Sequence, residues 1–387
     1  MIRSTVAHVD LEALQANVRA ISAFLAGGSG RSSPTPPHII AVVKANAYGH
    51  GAARVARALE QASASGSLGR MTLACADIEE GIALRRAGVA APILVFGALS
   101  ISDLDGLIEY RLTPTISTPS AARAVQAVAA KRRVQLGYHL KVDTGMNRLG
   151  FRHDNLRLTL PEVLASANLH LEGVYTHFAT ADAAGHPLFD DQRARFDAAR
   201  EVVETLGGRR AMAHAANSAA LLRDSRVWYD AVRPGLLLYG IVPPPLASTI
   251  PLTPVMSLTS RVVAVKGVRP EEGVGYGWRF TAPAPMTMAV VPAGYADGLD
   301  TRLSGRGHVL IRGRRVPIIG AVSMDMITVD VTGMQVEPGD EVVIIGQQGS
   351  ESWQRIDARE MAAAIGAIPW EIVCRIGSRI ERVYEGG

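Results

Sequence analysis

Five strings in this chain gather the residue types that lysine- and phosphate-centred chemistry requires, each at the end of a short apolar run. AVVKANAYGHG closes a run of Ile and Val with Lys44. A lysine there either snorkels to solvent or stays desolvated, and desolvation would lower its pKa toward the neutral amine that a Schiff base needs. KVDTGMNRLG carries Lys141, Asp143, Gly145 and Arg148, and YTHFATAD carries Tyr175 and His177. HAANSA adds His214, Asn217 and Ser218, and VRPGLLLYG adds Arg233 and Gly235. Any one of these reads as a satisfied interior polar residue, but their recurrence at successive run ends favours a shared site.

The mixture suggests a ligand. Ser218, Gly235 and neighbouring backbone amides could cradle a phosphate, His177 could stack on a planar ring, and Arg148 and Arg233 could meet ring or carboxylate oxygens and a ring nitrogen. The chain has neither a GxGxxG fingerprint nor a GxxxxGK[ST] loop, so the phosphate is not that of a Rossmann or P-loop nucleotide. A phosphorylated, lysine-linked pyridine fits these residues.

Such residues converge only if the elements beneath them share one end. Apolar runs alternate with helical patterns from Asp10 to about Gly240: His38–Lys44, Met71–Ala76, Pro92–Gly97, Leu112–Ile116, Leu136–Asp143, Leu171–Phe178, Ala211–Ala215 and Ala231–Leu236. Amphipathic stretches lie between them, among them Leu11–Leu25, Ala52–Gln61, Ile78–Ala87, Ser120–Lys131 and Asp190–Leu206. Eight strands with intervening helices predict an α/β fold of the TIM (β/α)8 type, whose strand C-termini carry the site. The Ser- and Pro-rich segment Arg31–Pro37 reads as a surface loop.

Beyond Val242-Pro243-Pro244-Pro245 the pattern changes to β-rich runs: Met256–Val268, Met286–Val291, His308–Ile311, Val316–Ala321, Ile327–Val331 and Glu341–Ile345, with one late helix near Ala358–Ile365. The expected division is a barrel over residues 10–245 and a C-terminal, mostly antiparallel β domain over 246–387, with residues 1–9 packing on the latter.

Composition excludes several classes. The 387 residues are 48% apolar and 20% charged, ordinary for a globular chain with a sizeable core. The 40 Lys and Arg and 36 Asp and Glu leave a net +4 spread along the chain, which argues against nucleic acid. Cys75 and Cys374 are too few for a disulfide framework and lack metal-site spacing, so both are expected as buried thiols and no metal is expected. No apolar stretch of about 20 residues occurs and Met1–Asp10 has no signal-peptide core, so the expectation is a cytoplasmic protein that makes no membrane contact.

With these residues in place, the chain resembles the alanine racemases from Asp10 to about Tyr384. AVVKANAYGHG looks like that family's pyridoxal-phosphate (PLP) attachment signature, and KVDTGMNRLG, YTHFATAD, VRPGLLLYG, AGYADG and SMDMITVD follow in order. The resemblance implies a PLP enzyme that interconverts L- and D-alanine for peptidoglycan by a two-base mechanism. Lys44 would serve the D-alanine side and Tyr295, in AGYADG, the L-alanine side. It further implies that Tyr48, Ser218 and Gly235 hold the cofactor phosphate, that Asn217 belongs to the cofactor site, that His177 packs near the pyridine ring and that Arg233 faces its nitrogen. Arg148 and Met324 would bind substrate, with Lys141, often carbamylated in the family, supporting Arg148. Tyr295 and Met324 would come from the partner subunit, giving a homodimer with composite sites. Serine is the expected slow second substrate, because a pocket discriminates weakly against small additions.

One departure stands out. CRIGSRIERVY places Ser378, Ile380 and Glu381 in a stretch where the family usually shows an RVPR-like string, and Ser378 occupies the place of a tyrosine that contacts phosphate in some relatives.

Overall fold

The computed structural model describes residues 4–28, 35–64, 71–97, 99, 104–207, 210–349 and 353–386. The chain divides into two compact units: Gln15–Ala47 with Ala52–Leu252, and Met1–Leu14 with Tyr48–Gly51 and Thr253–Gly387.

The first unit is a closed parallel barrel. Its strands are His38–Val42, Thr72–Cys75, Ile93–Val95, Thr113–Ile116, Leu136–Asp143, Leu169–Tyr175, Met212–Asn217 and Ala231–Arg233. Neighbours in sequence pair in parallel around the ring. His38–Val42 closes it against Ala231–Arg233, with Ala231 opposite His38. These strands carry near-continuous β-branched and small apolar residues because both of their faces are covered. Ile40, Ala74, Leu94 and Ala231 are fully buried together, with Phe96 packed against them. The helices Leu11–Gly27, Ala52–Ala64, Ile78–Arg86, Pro119–Arg132 and Leu188–Gly207 alternate with the strands.

Local chemistry sets where several helices begin. Asp77 caps Ile78–Arg86 by accepting from the Glu80 N–H, and Thr118 caps Pro119–Arg132 by accepting from the Ala121 N–H. Pro119 follows that cap where a missing N–H costs nothing. Each anticipated barrel strand is found, Leu136–Asp143 with the bounds expected and the others with at least one end shifted by up to three residues. The largest consequence falls at Lys44: the strand stops at Val42, so the lysine does not close it. Of the expected loop Arg31–Pro37, residues 31–34 lie outside the described residues.

The second unit is built on a mostly antiparallel sheet. Met256–Val268, expected as one run, is two strands: Ala264–Val268 forms one edge of the sheet path, while Met256–Arg261 lies in its interior between Glu341–Gln348 and Val6–Asp10. Met286–Val291, His308–Ile311, Arg314–Ile319, Ile327–Asp330 and Glu341–Gln348 follow. The N-terminal strand Val6–Asp10 lies between Met256–Arg261, to which it is antiparallel, and Glu381–Glu385, to which it is parallel. Ala358–Ile365 is helical, and a second helix that the sequence reading did not anticipate, Pro369–Cys374, follows it. Cys75 is buried, but Cys374 is exposed, which corrects the expectation of two buried thiols.

Candidate active site

Arg233 ends the last barrel strand and is 3% exposed. One terminal nitrogen donates to His214 Nδ1 at 2.8 Å; the other donates to the carbonyl oxygens of Thr176 and Ala215, both at 2.8 Å, and lies 3.3 Å from His177 Nδ1. Among the described residues its Nε–H has no hydrogen-bond partner. Burial lowers the Arg233 pKa to about 10, yet the side chain stays cationic at neutral pH.

A guanidinium only donates, so His214 Nδ1 must accept and its proton sits on Nε2. That nitrogen lies 2.8 Å from His139 Nδ1, which accepts in turn. Burial, then the charge of Arg233, lowers His139 to about 4 and His214 well below the ordinary histidine value. Both rings are therefore neutral at pH 7, and the tautomer of each is fixed by the arginine. The His214 ring stacks on Tyr175 at 4.6 Å and 10°, and the Tyr175 hydroxyl lies 3.1 Å from Thr115 Oγ1. His177 is half-buried, and its pKa is pulled well below the ordinary value by burial and then by Arg233, Lys141, Arg148 and Lys44.

Lys141 is 7% exposed with its Nζ 5.4 Å from the centre of the Tyr175 ring. Burial lowers its pKa to about 8, helped by Arg233, Arg148 and Lys44 and opposed by Asp143. Among the described residues neither Lys141 nor Arg148 has an ion-pair partner. Arg148 and Lys44 are exposed in the single chain, and Lys141 is the buried lysine.

Lys44 opens an unusual segment. Ala45, Asn46, Ala47 and Tyr48 hold φ of 51, 52, 55 and 53°, a left-handed turn built without glycine. Each such residue costs about 1–2 kcal/mol relative to its right-handed form, so the turn persists only because its surroundings determine it.

Ser218 Oγ accepts from the N–H groups of Gly235 at 2.9 Å and Leu237 at 3.4 Å, which leaves the hydroxyl proton for an anion. Asn217 spends its carbonyl oxygen capping the helix Ser218–Arg223 through the Ala220 N–H, leaving its amide NH2 to donate.

In the second unit, Tyr295 and Met324 are brought together by main-chain bonds: the Tyr295 N–H donates to Ser323 O at 2.9 Å and the Ala296 N–H to Met324 O at 3.0 Å. A side chain on Gly294 would collide with the Met324 carbonyl, which accounts for the glycine in AGYADG. Tyr295 is 45% and Met324 51% exposed. Beneath them the buried Asp297 accepts from the Gly294 N–H and faces Arg379 Nε at 3.4 Å, while Arg379 also reaches Asp325 at 2.6 Å. Tyr48, in this unit, is buried, and burial followed by the nearby Cys374 holds its hydroxyl protonated.

His139, Thr176 and Arg379 escaped the sequence reading. For His139 a signal existed: in LGYHLKVD it shares the inward face with Lys141 and Asp143 at spacing two. Among the described residues no group of His, Cys, Asp and Glu could hold a metal ion, and no helix is long and apolar enough to cross a membrane.

The chain thus pairs a closed parallel barrel, with Lys44 just past a strand end and a buried arginine–histidine relay, with an antiparallel unit, the layout of a two-part barrel protein. Residues 9–243 match the family model "Alanine racemase, N-terminal domain" and residues 255–384 match "Alanine racemase, C-terminal domain". The chain belongs to the alanine racemase family. It is 39% identical over 380 residues to the alanine racemase of Nostoc sp., covering 97% of this chain and 94% of that one. Its fold matches the alanine racemase of Bacillus anthracis with bound L-Ala-P at a TM-score of 0.88 and 34% identity, covering 100% of this chain and 96% of that one. It also matches that of Bartonella henselae with covalently bound pyridoxal phosphate, at 0.85 and 29% identity, covering 99% of each.

Proposed function

We propose that this chain interconverts L-alanine and D-alanine with pyridoxal 5'-phosphate held on Lys44, and that Lys44 and Tyr295 are its opposed acid–base groups. The observation that carries this reading is Arg233: a buried cation whose terminal nitrogens are committed to His214, Thr176 and Ala215 while Nε–H is left to donate. Such a donor suits a pyridine nitrogen, and because it does not give up its proton at neutral pH, that nitrogen stays unprotonated.

The remaining residues fit the same group. Ser218, with its free hydroxyl proton, and Gly235 would hold the phosphate together with Tyr48, whose hydroxyl stays protonated and able to donate. Asn217 would add its amide, and His177, neutral beside Arg233, would lie against the ring. When bound, PLP acidifies the α-C–H of the amino acid attached to it by delocalising the electron pair. Lys44 Nζ then takes or returns the α-proton on one face and Tyr295 Oη on the other, because one fixed group cannot serve both faces of a held substrate. Arg148 and Met324 would bind the substrate. Lys141 has the lowered pKa that favours carbamylation by CO2, and the resulting anion would pair with Arg148.

This reading takes residues 10–245 as the cofactor-binding domain and 246–387 as the β domain. It makes the working form a homodimer in which Tyr295 and Met324 complete the partner's site. The role proposed is to supply D-alanine for peptidoglycan from the cytoplasm.

The test is α-proton exchange in D2O with chiral product analysis. Wild type should convert L-alanine to deuterated D-alanine, while Tyr295→Phe should lose racemisation yet keep exchange from D-alanine. A PLP-loaded wild type that neither exchanges nor racemises alanine overturns the proposal.

A further inference from the structure

Among the described residues, Ala45–Tyr48 is the one run in which successive non-glycine residues hold positive φ. It begins directly after Lys44, so whatever holds this turn also sets the direction in which the lysine leaves the barrel mouth. Left to itself a chain of L-residues would relax toward right-handed or extended backbone.

The restraint comes from the next βα unit. His38–Val42 pairs with Thr72–Cys75 as far as Val42 opposite Ala74, and the Val43 N–H donates to Ala74 O at 2.8 Å. Past that point the amides of Ala45 and Ala76 have no strand to pair with. Glu80 takes both: Oε1 accepts from the Ala45 N–H at 2.7 Å and Oε2 from the Ala76 N–H at 2.8 Å. Its own N–H donates to the capping Asp77 at 2.8 Å, which fixes the base of the side chain. Hydrogen bonds to a carboxylate are short and strong, and two amides from adjacent strand ends leave it one geometry. A glutamate at this place that only closed its own helix would accept from the capping residue's amide, Asp77 N–H; Glu80 instead takes amides from two strand ends, Ala76 and Ala45. Within the turn, Asn46 Oδ1 accepts from the Ala52 N–H at 2.8 Å.

We infer that Glu80 is a positioning residue for Lys44: its carboxylate locks the left-handed turn that aims the lysine, and so governs the Lys44 half of the proton transfer but not the Tyr295 half. The inference rests on the two-base reading for its catalytic consequence; the locking of the turn stands apart from it.

Two measurements on Glu80→Ala and Glu80→Gln separate these parts. Hydrogen exchange of the peptide spanning residues 43–52 reads the turn without cofactor or substrate; it should quicken in Glu80→Ala and fall between in Glu80→Gln, which keeps one acceptor oxygen. Primary α-deuterium isotope effects on the PLP-loaded enzyme read the consequence. With Glu80→Ala the Lys44 transfer should slow by roughly 10- to 100-fold, the range that a misplacement of about 1 Å produces. The isotope effect should then rise with D-alanine as substrate and fall with L-alanine. Unchanged exchange in residues 43–52 overturns the locking, and equal isotope-effect changes in both directions overturn the aiming. If Glu80→Ala does not fold, Glu80→Gln carries both readings. A wild type inert toward alanine counts against the proposed function, while the exchange result still decides what Glu80 does.

Discussion

Arg233 and its two histidines form one electrostatic unit, and its behaviour with pH has a definite sign. His139 has a folded-state pKa near 4 against an ordinary value of about 6.5. Between these values the unfolded chain binds the proton and the folded chain does not, so the contribution is fully present above about pH 6.5 and is lost as pH falls through 4. A shift of this size corresponds to roughly 3 kcal/mol. The free energy of urea unfolding should therefore fall from pH 7 to pH 4, and His139→Gln should flatten that slope; parallel slopes in the two proteins would show that His139 does not titrate in this window. Lys141 behaves differently. Its pKa near 8 makes the neutral amine abundant as pH rises through that value, and it is the neutral amine that captures CO2. With 13C-bicarbonate, the enzyme should show a carbamate carbon resonance at pH 8.5 that is absent from Lys141→Arg. An Arg148→Ala variant should weaken the signal, since it removes the cation that the new anion would face.

At the scale of elements, legibility in the sequence tracks how much of each element's energy is local. The barrel strands were visible because burial on both faces demands unbroken Ile, Val, Leu and Ala, and the helices because Asp77, Thr118 and Pro119 announce their first turns. The turn behind Lys44 was not visible. KANAY contains no glycine, and nothing in its composition reports a left-handed path that depends on Glu80, whose position lies 35 residues further on. Likewise the break between Arg261 and Ala264 separates two strands of similar apolar pattern that part only because they join different neighbours. His139 and His214 lie on strands with Leu169–Tyr175 between them, a juxtaposition of inward side chains that depends on which strands are neighbours and is not written in either segment alone. The local terms allow a direct check: Asp77→Ala removes the cap of Ile78–Arg86 and should destabilise the chain by about 1 kcal/mol, read as a lower urea midpoint at unchanged slope.

At the scale of the whole molecule, the two proposed acid–base groups belong to different compact units, Lys44 to the barrel and Tyr295 to the antiparallel unit. If each site takes its lysine from one subunit and its tyrosine from the other, two inactive variants must complement. In a heterodimer of Lys44→Ala with Tyr295→Phe, one site receives both lesions and the other receives neither. Random assortment of equal amounts makes half the dimers mixed, and half the sites in those are intact, so about one quarter of wild-type racemase activity should return. Co-expression with two different tags, followed by purification through both, isolates the mixed dimer and should raise the recovery to about one half. If both groups of each site come from a single chain, every site in the mixed dimer carries one lesion and activity stays at the level of the separate variants. The comparison needs no assumption about how tightly the subunits associate, because the doubly tagged species is by construction a dimer.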